Sequence, residues 1–486
     1  MVFMTLPDDF IKYTRQLMGD SLWQALEAGL AGEPPVSVRL NPLKCSPDAV
    51  DLVSGDGVVP WCAAGRYLKR RPNFTFDPLM HAGVYYVQDA SSMFLERVLR
   101  RYAADAPVRV LDLCAAPGGK STLARSVLPE GSLLFCNEPV HGRAMVLAEN
   151  VQKFGHEDVV VTNSYPADYG RSGLMFDVVV ADVPCSGEGM FRKDEGARGE
   201  WSLNNVEKCR RLQRSIVQDV WRCLRPGGLL VYSTCTFNAA ENEENVRYVA
   251  DELGADVLPV DIEPSWGITG SLLEGFDAPV YRFLPGLTRG EGLFMAVLRK
   301  HGEDGGSDER RGRKKADKPR AGAGKSAAKV KDNGWIDGFE NYSMRLCDGF
   351  YRAVPRRWSD VYDVAEKRLR VIHAGVTVGE VRGKDVVPAQ SLLLSRVFRK
   401  EAFPCVEMEH PAAVAFLRRE AVPLAAGVPR GPVVMTYRGC PIGFQKNIGN
   451  RANNLYPAEW KIKSTYVPED GCDVIVKGTD NGISIR

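Results

Sequence analysis

No run of eighteen apolar residues occurs anywhere in the 486 residues, so the sequence offers no transmembrane helix. The first residues, Met1 to Gly19, carry Asp8 and Asp9 where a secretory leader has a basic stretch followed by an apolar one. The expected location is therefore the cytoplasm, and the twelve cysteines are expected to be reduced thiols. No two cysteines stand at CxxC spacing, which excludes the common zinc-site pattern and leaves no metal expected. The chain also lacks GxGxxG, GxxxxGK[ST] and any internal repeat, so neither the dinucleotide nor the nucleotide-triphosphate loop is present. What is there is ordinary for a globular chain of several domains: 44% apolar and 26% charged residues.

The net charge of +2 hides an asymmetry. Residues 310–331 hold ten Lys/Arg and one acid, Asp317, so the rest of the chain is net acidic. The stretch 301–334 has no aromatic, Leu or Ile with which to build a core, and is expected to be a basic flexible linker that adds salt-dependent phosphate affinity. It divides a first part, 1–300, from a C-terminal region, 335–486.

Before the linker, short apolar runs alternate with helical patterns. Val108–Leu113, Leu133–Glu138, Val159–Thr162, Phe176–Ala181 and Leu229–Ser233 read as strands, with helices around Arg143–Phe154, Val206–Leu224 and Glu243–Leu253, and a late strand at Gly292–Arg299. This spacing predicts a doubly wound α/β sheet over 106–300, with ligands at the carboxyl ends of its strands. Residues 1–105 are expected to be a small αβ extension.

Three motifs fall at strand ends. Cys114-Ala115-Ala116-Pro117-Gly118-Gly119-Lys120 follows the first strand, and its small residues allow a ligand close to the backbone and to a helix N-terminus. Glu138 ends the second strand, where an acid suits the hydroxyls of a ribose. Together they imply an adenosine-bearing cofactor. Asp182-Val183-Pro184-Cys185 ends the fourth strand and Ser233-Thr234-Cys235 the fifth. Two cysteines at neighbouring strand ends suit one chemistry well. C5 of cytosine is a poor nucleophile until a thiolate adds at C6, after which it can take a methyl group from a sulfonium. That reaction needs a thiolate, an acid for N3 and the amino group, and a base for the C5 proton. The thiolate needs local electropositive help, which Lys120 or the sulfonium itself could provide.

SVRLNPLK, GVYYVQDASSMF, LDLCAAPGGKST, DVPCSGEGMFRKD, LRPGGLLVYSTCTFNAAENE and GEGLFMAVLRK, in that order from Ser37 to Lys300, resemble the Nol/Nop/Sun RNA (cytosine-5) methyltransferases. The tail GCPIGFQKNIGNRANNLYP (Gly439–Pro457) looks like the PUA-like region of the bacterial RsmF/YebU-like branch that acts on 16S ribosomal RNA. The resemblance implies a Rossmann-like class I methyltransferase domain that uses S-adenosyl-L-methionine on RNA, with neither a membrane nor a metal as partner. It implies Cys235 as nucleophile, Cys185 as the cysteine of product release, Asp182 as the acid holding the cytosine and lying against the cofactor, and Lys120 beside the base. Cys114 to Lys120 match the S-adenosylmethionine loop and Glu138 the ribose acid, while Arg192 and Lys193 match positions near the RNA. Val183 stands where the family has Pro or Ala, and the acid expected after the third strand is replaced by Asn163-Ser164. A target cytosine must be flipped out of its stack, so auxiliary RNA contacts are expected from Arg39, Lys44, the linker, Tyr437, Arg438, Lys446, Arg451 and Lys461. A tRNA substrate and a catalytically silent rRNA-binding assembly factor are the alternatives.

Overall fold

The computed structural model describes residues 6–302, 332–464, 466 and 472–476. Most of the basic segment 301–334, from 303 to 331, lies outside the described residues.

The N-terminal part opens with a helix, Asp8–Ala31, bent at Gly19, whose φ of 72° breaks the helical path. Its apolar face, including Phe10, Trp23 and Leu26, buries against Phe191, Trp201 and Phe237, so it packs on the loops that follow the central strands. A small antiparallel sheet follows, built from β1 (Val36–Leu40), β2 (Gly55–Val58), β3 (Gly65–Leu68) and β4 (Tyr85–Val87) in the order β2-β3-β1-β4.

The central sheet contains β5 (Arg109–Asp112), β6 (Leu133–Asn137), β7 (Val159–Thr162), β8 (Phe176–Asp182), β9 (Leu224–Thr234), β10 (Ala255–Leu258), β11 (Val280–Phe283) and β12 (Leu293–Lys300). β5 to β9 run parallel to one another, and β12 runs antiparallel beside β9. Strands of this kind are covered on both faces, which is why they read as continuous apolar runs rather than alternating ones. Strand order reverses at β5, which has β8 on one side and β6 on the other. Such a switch point opens a crevice at the carboxyl ends of the strands. The sheet is the doubly wound α/β class that the sequence predicts. It adds two short strands, β10 and β11, that were not visible as separate apolar runs.

Residues 335–486 contribute more than a separate unit. They hold β13 (Tyr342–Cys347), β14 (Phe350–Pro355), β15 (Val371–Ala374), β16 (Val376–Arg382) and β17 (Asp385–Pro388), then β18 (Cys405–Glu407), β19 (Gly431–Tyr437), β20 (Cys440–Asn447) and β21 (Ala452–Asn454). Two four-stranded sheets result, β13-β14-β16-β17 and β18-β19-β20-β21. β15 leaves its neighbours and pairs antiparallel with β7, covering the edge of the central sheet. Ion pairs fasten the same junction: Arg396 meets both Glu130 and Glu157, and Arg357 meets buried Asp158. Among the described residues, no helix is long and apolar enough to cross a membrane.

Candidate active site

After β5 the chain turns through Leu113–Pro117, and Gly118 takes a left-handed conformation (φ 115°, ψ 5°) before the helix Gly119–Val127 begins. A side chain at Gly118 would be strained there and would press on Leu147 and Asn150. Neighbouring elements hold the turn by its backbone: Ala115 N–H donates to Asn137 O, Asn150 Nδ2 to Pro117 O and Arg143 Nη2 to Ala116 O, at 2.8, 2.8 and 3.1 Å. Glu138 is buried at the end of β6, where its Oε1 accepts the Val140 N–H at 2.9 Å. Asn163 donates its side-chain amide to the carbonyls of Glu138 and Pro139, both at 2.8 Å. Ser164 Oγ accepts the Arg370 N–H at 3.0 Å. The two residues that replace the expected acid therefore brace the Glu138 loop and the β15 junction.

One carboxylate in this crevice escaped the sequence reading. Asp112, the last residue of β5, is fully buried, and its Oδ2 accepts from Ser121 Oγ at 2.6 Å. Its Oδ1 is buried with no hydrogen-bond partner among the described residues. Burial, with Asp182 adding repulsion, pushes its carboxyl up to about 7.

Asp182 ends β8 and spends both oxygens on neighbours. Ser233 Oγ donates to Oδ1 at 2.7 Å and Lys120 Nζ to Oδ2 at 2.8 Å. Burial alone would depress Lys120, but the Asp182 carboxylate outweighs it and holds the ammonium above its ordinary range. The sulfurs of Cys185 and Cys235 lie 3.2 Å apart as free thiols. The Cys185 thiol is pushed well above its usual range, first by its hydrogen bond to Cys235 and then by burial, so Cys185 keeps its proton.

Two buried glutamates set that separation by reaching across in opposite directions. Glu188, in the loop after β8, accepts from the backbone of Phe237 and Asn238 and from the Asn238 side chain, all in the loop after β9. Glu241, beyond β9, accepts from Ser186 N–H at 3.1 Å, immediately after Cys185, and also from Gln213 and Asn238. Gly189 N–H donates to Cys235 O at 2.6 Å, and a Cβ on Gly189 would lie 2.5 Å from that oxygen. A cleft of about 190 Å³ runs between the Cys114–Lys120 turn and the segment that holds Gln88, Asp89 and Ser92, and reaches Asp182.

Known proteins resemble the chain over nearly its whole length. The model of the 16S rRNA methyltransferase RsmB/F family matches residues 102–299, that of the N-terminal domain of 16S rRNA methyltransferase RsmF matches 6–90, and that of the methyltransferase RsmF PUA domain matches 403–462. Ribosomal RNA small subunit methyltransferase F of Escherichia coli O139:H28 is 31% identical, over 93% of this chain and 96% of that protein. The protein of the same name from Photobacterium profundum is 29% identical, over 93% of this chain and 97% of that one. The chain belongs to the ribosomal RNA small subunit methyltransferase F family. It is an S-adenosylmethionine-dependent methyltransferase. The fold is shared with a methyltransferase homologue from Pyrococcus horikoshii, at a TM-score of 0.52 and 24% identity, covering 61% of this chain and 96% of that one.

The crevice suits the cofactor of this family. It offers a left-handed glycine before a helix N-terminus, a buried orphan oxygen on Asp112 and a buried acid at Glu138.

Several of the expected RNA contacts are corrected by the structure. Arg39 is buried and donates to Gln88 Oε1 and Thr122 Oγ1, at 2.8 and 2.6 Å, so it supports the helix after the glycine turn. Lys44 is buried with its Nζ 2.6 Å from the carbonyls of both Ala82 and Lys153, and burial pushes it down to about 7. Arg192 is buried on Glu291, Gly29 O and Gly290 O. Tyr437 is buried, and Arg438 is tied to Asp473. Lys193 keeps partial exposure while pairing with Glu291, and Arg451 and Lys461 are exposed. The signal for Asp112, Glu188 and Glu241 was in the motifs already: each is an acid set in an apolar or catalytic segment, LDL, SGEGMF and AAENE.

Proposed function

We propose that this enzyme methylates C5 of one cytosine in 16S ribosomal RNA through a covalent adduct on Cys235. The observation that carries the reading is the pair of sulfurs 3.2 Å apart just beyond the adjacent ends of β8 and β9, where Asp182 holds Lys120. The substrate class rests on the names of the full-length relatives and on the PUA match at 403–462. Cys114 to Lys120 and Glu138 would hold S-adenosylmethionine; Asp182 lines the same cleft and Asp112 lies buried at the end of β5. The bound cofactor supplies an electrophilic methyl group.

The chain's own groups do the rest. The Cys235 thiolate adds to C6, forming an S–C bond and moving electron density to C5 and toward N3. Lys120 and Asp182 meet the charge and the amino group on that side of the ring. Cys185, which keeps its proton, donates its S–H toward the Cys235 sulfur and so favours the thiolate. Once C5 is methylated its proton leaves to solvent water, the Cys185 thiol being protonated already. The C–H electron pair restores the ring double bond as the S–C6 bond breaks, and Cys235 departs as a thiolate. Cys185 is assigned to this release.

Bisulfite sequencing of ribosomal RNA and tRNA from cells with and without the gene tests the substrate. Loss of one protected cytosine in 16S RNA is expected, and loss confined to tRNA would overturn the substrate. A denaturing gel tests the chemistry: Cys185→Ala should accumulate a covalent protein–RNA band that Cys185→Ala/Cys235→Ala lacks. Absence of that band would overturn the release role.

A further inference from the structure

A second, larger depression lies outside the cofactor crevice. It is a groove of about 740 Å³ between the end of β3, the turn before β1 and the loop 286–290. Lys69, Arg70, Arg71, Lys193 and Arg289 line it, against Glu33 and Asp56. Lys69, Arg70 and Arg71 are consecutive and exposed, and among the described residues no carboxylate pairs with any of them. Arg71 lies over the Phe74 ring at 5.3 Å, which leaves its guanidinium edge to face a ligand, whereas Arg289, over the Tyr67 ring at 4.1 Å, spends its edge on Asp56. Three adjacent unneutralised cations repel one another, and a polyanion relieves that repulsion.

The groove connects to the active site. Lys193 Nζ is 2.8 Å from Glu291 Oε1, and the Glu291 N–H donates to Asp89 Oδ1 at 2.9 Å. Asp89 lines the cofactor cleft with Lys120 and Asp182. When a cytosine is flipped into that cleft, the phosphates on one side of it must leave along the surface. Arg39 and Lys44 cannot guide them, being buried.

We propose that this groove holds the phosphodiester backbone of the single-stranded RNA flanking the target cytosine, with Lys69, Arg70 and Arg71 as its phosphate contacts. This rests on the RNA substrate proposed above.

The test is filter binding of the full chain to a 16S rRNA transcript over a range of salt, with methyl transfer measured in parallel. In K69Q/R70Q/R71Q the dissociation constant should rise at least about tenfold, and the slope of log K against log salt should shrink by about two, as three single-strand phosphate contacts predict. The variant K367Q/R368Q/K384Q removes the same charge from exposed positions elsewhere and should bind and methylate like the unaltered chain. Unchanged affinity and slope in the groove variant would overturn the groove, as would an equal loss in both variants. If the unaltered chain binds through the groove but methylates no RNA, the groove stands and the RNA methylation reading falls.

Discussion

The two sides of the crevice are built differently. On the β5/β6 side the chain holds its turn by backbone carbonyls and small residues, and leaves a polar atom, Asp112 Oδ1, unpartnered. On the β8/β9 side the loops are cross-linked by Glu188 and Glu241, whose oxygens are taken by protein donors. A surface that receives a ligand must keep donors and acceptors free for it, and a surface that holds two sulfurs at reaction distance must spend them on itself. On the function proposed above, the first side serves cofactor affinity and the second covalent chemistry.

Cys235→Ala is the severest test of the second side. It should abolish methyl transfer while the protein still binds S-adenosylmethionine, read by single-turnover transfer and by calorimetry. Residual full activity would remove Cys235 from the chemistry.

Asp112→Asn tests the first side. A hydrogen bond to a charged group is worth about 1.5–3 kcal/mol, so the KM for S-adenosylmethionine should rise roughly ten- to a hundredfold. The fraction of enzyme trapped as RNA adduct in a Cys185→Ala background should not change. A change in trapping with no change in KM would reverse the assignment.

Glu241→Gln tests the same division from the cysteine side. Gln presents an amide N–H₂ to a site already filled by donors from Ser186, Gln213 and Asn238, so the loop carrying Cys185 should shift. Product release should slow by about tenfold, as expected for roughly 1.4 kcal/mol lost from one buried hydrogen bond, with the KM for S-adenosylmethionine unaltered. Oxidation by diamide should also form a Cys185–Cys235 disulfide more slowly than in the unaltered chain.

The smallest effect is on stability against pH. Burial pushes the Glu241 carboxyl from 4.5 up to about 7. Between those values the folded chain binds the proton and the unfolded chain does not, so stability falls as pH rises through this window and levels off above it. Glu241→Gln should flatten that fall in a series of Tm measurements from pH 4 to 8. An unchanged slope would show that Glu241 is ionised throughout.

Much of this was legible in the sequence. The strands before the basic segment were visible because buried parallel strands are uninterrupted apolar runs, and CAAPGGK, DVPC and STC mark their ends. The RNA surface was not legible. Arg39, Lys44 and Arg192 have the composition of surface residues, yet each satisfies backbone or side-chain acceptors in the interior. Their burial depends on which carbonyls the folded chain leaves unpaired, and no local pattern records that. β15 was missed for a related reason. Its partner β7 lies about two hundred residues earlier, and pairing over that distance leaves no mark on either short segment.

The sequence by itself determined the sheet, the cofactor turn and the presence of two cysteines at adjacent strand ends, because these follow from local apolar patterns and from motifs a few residues long. Only the tertiary structure decided the 3.2 Å between the sulfurs, the reciprocal reach of Glu188 and Glu241, and which basic residues face solvent. Those depend on side chains from distant segments competing for the same buried donors and acceptors, and that competition is settled only when the segments pack together.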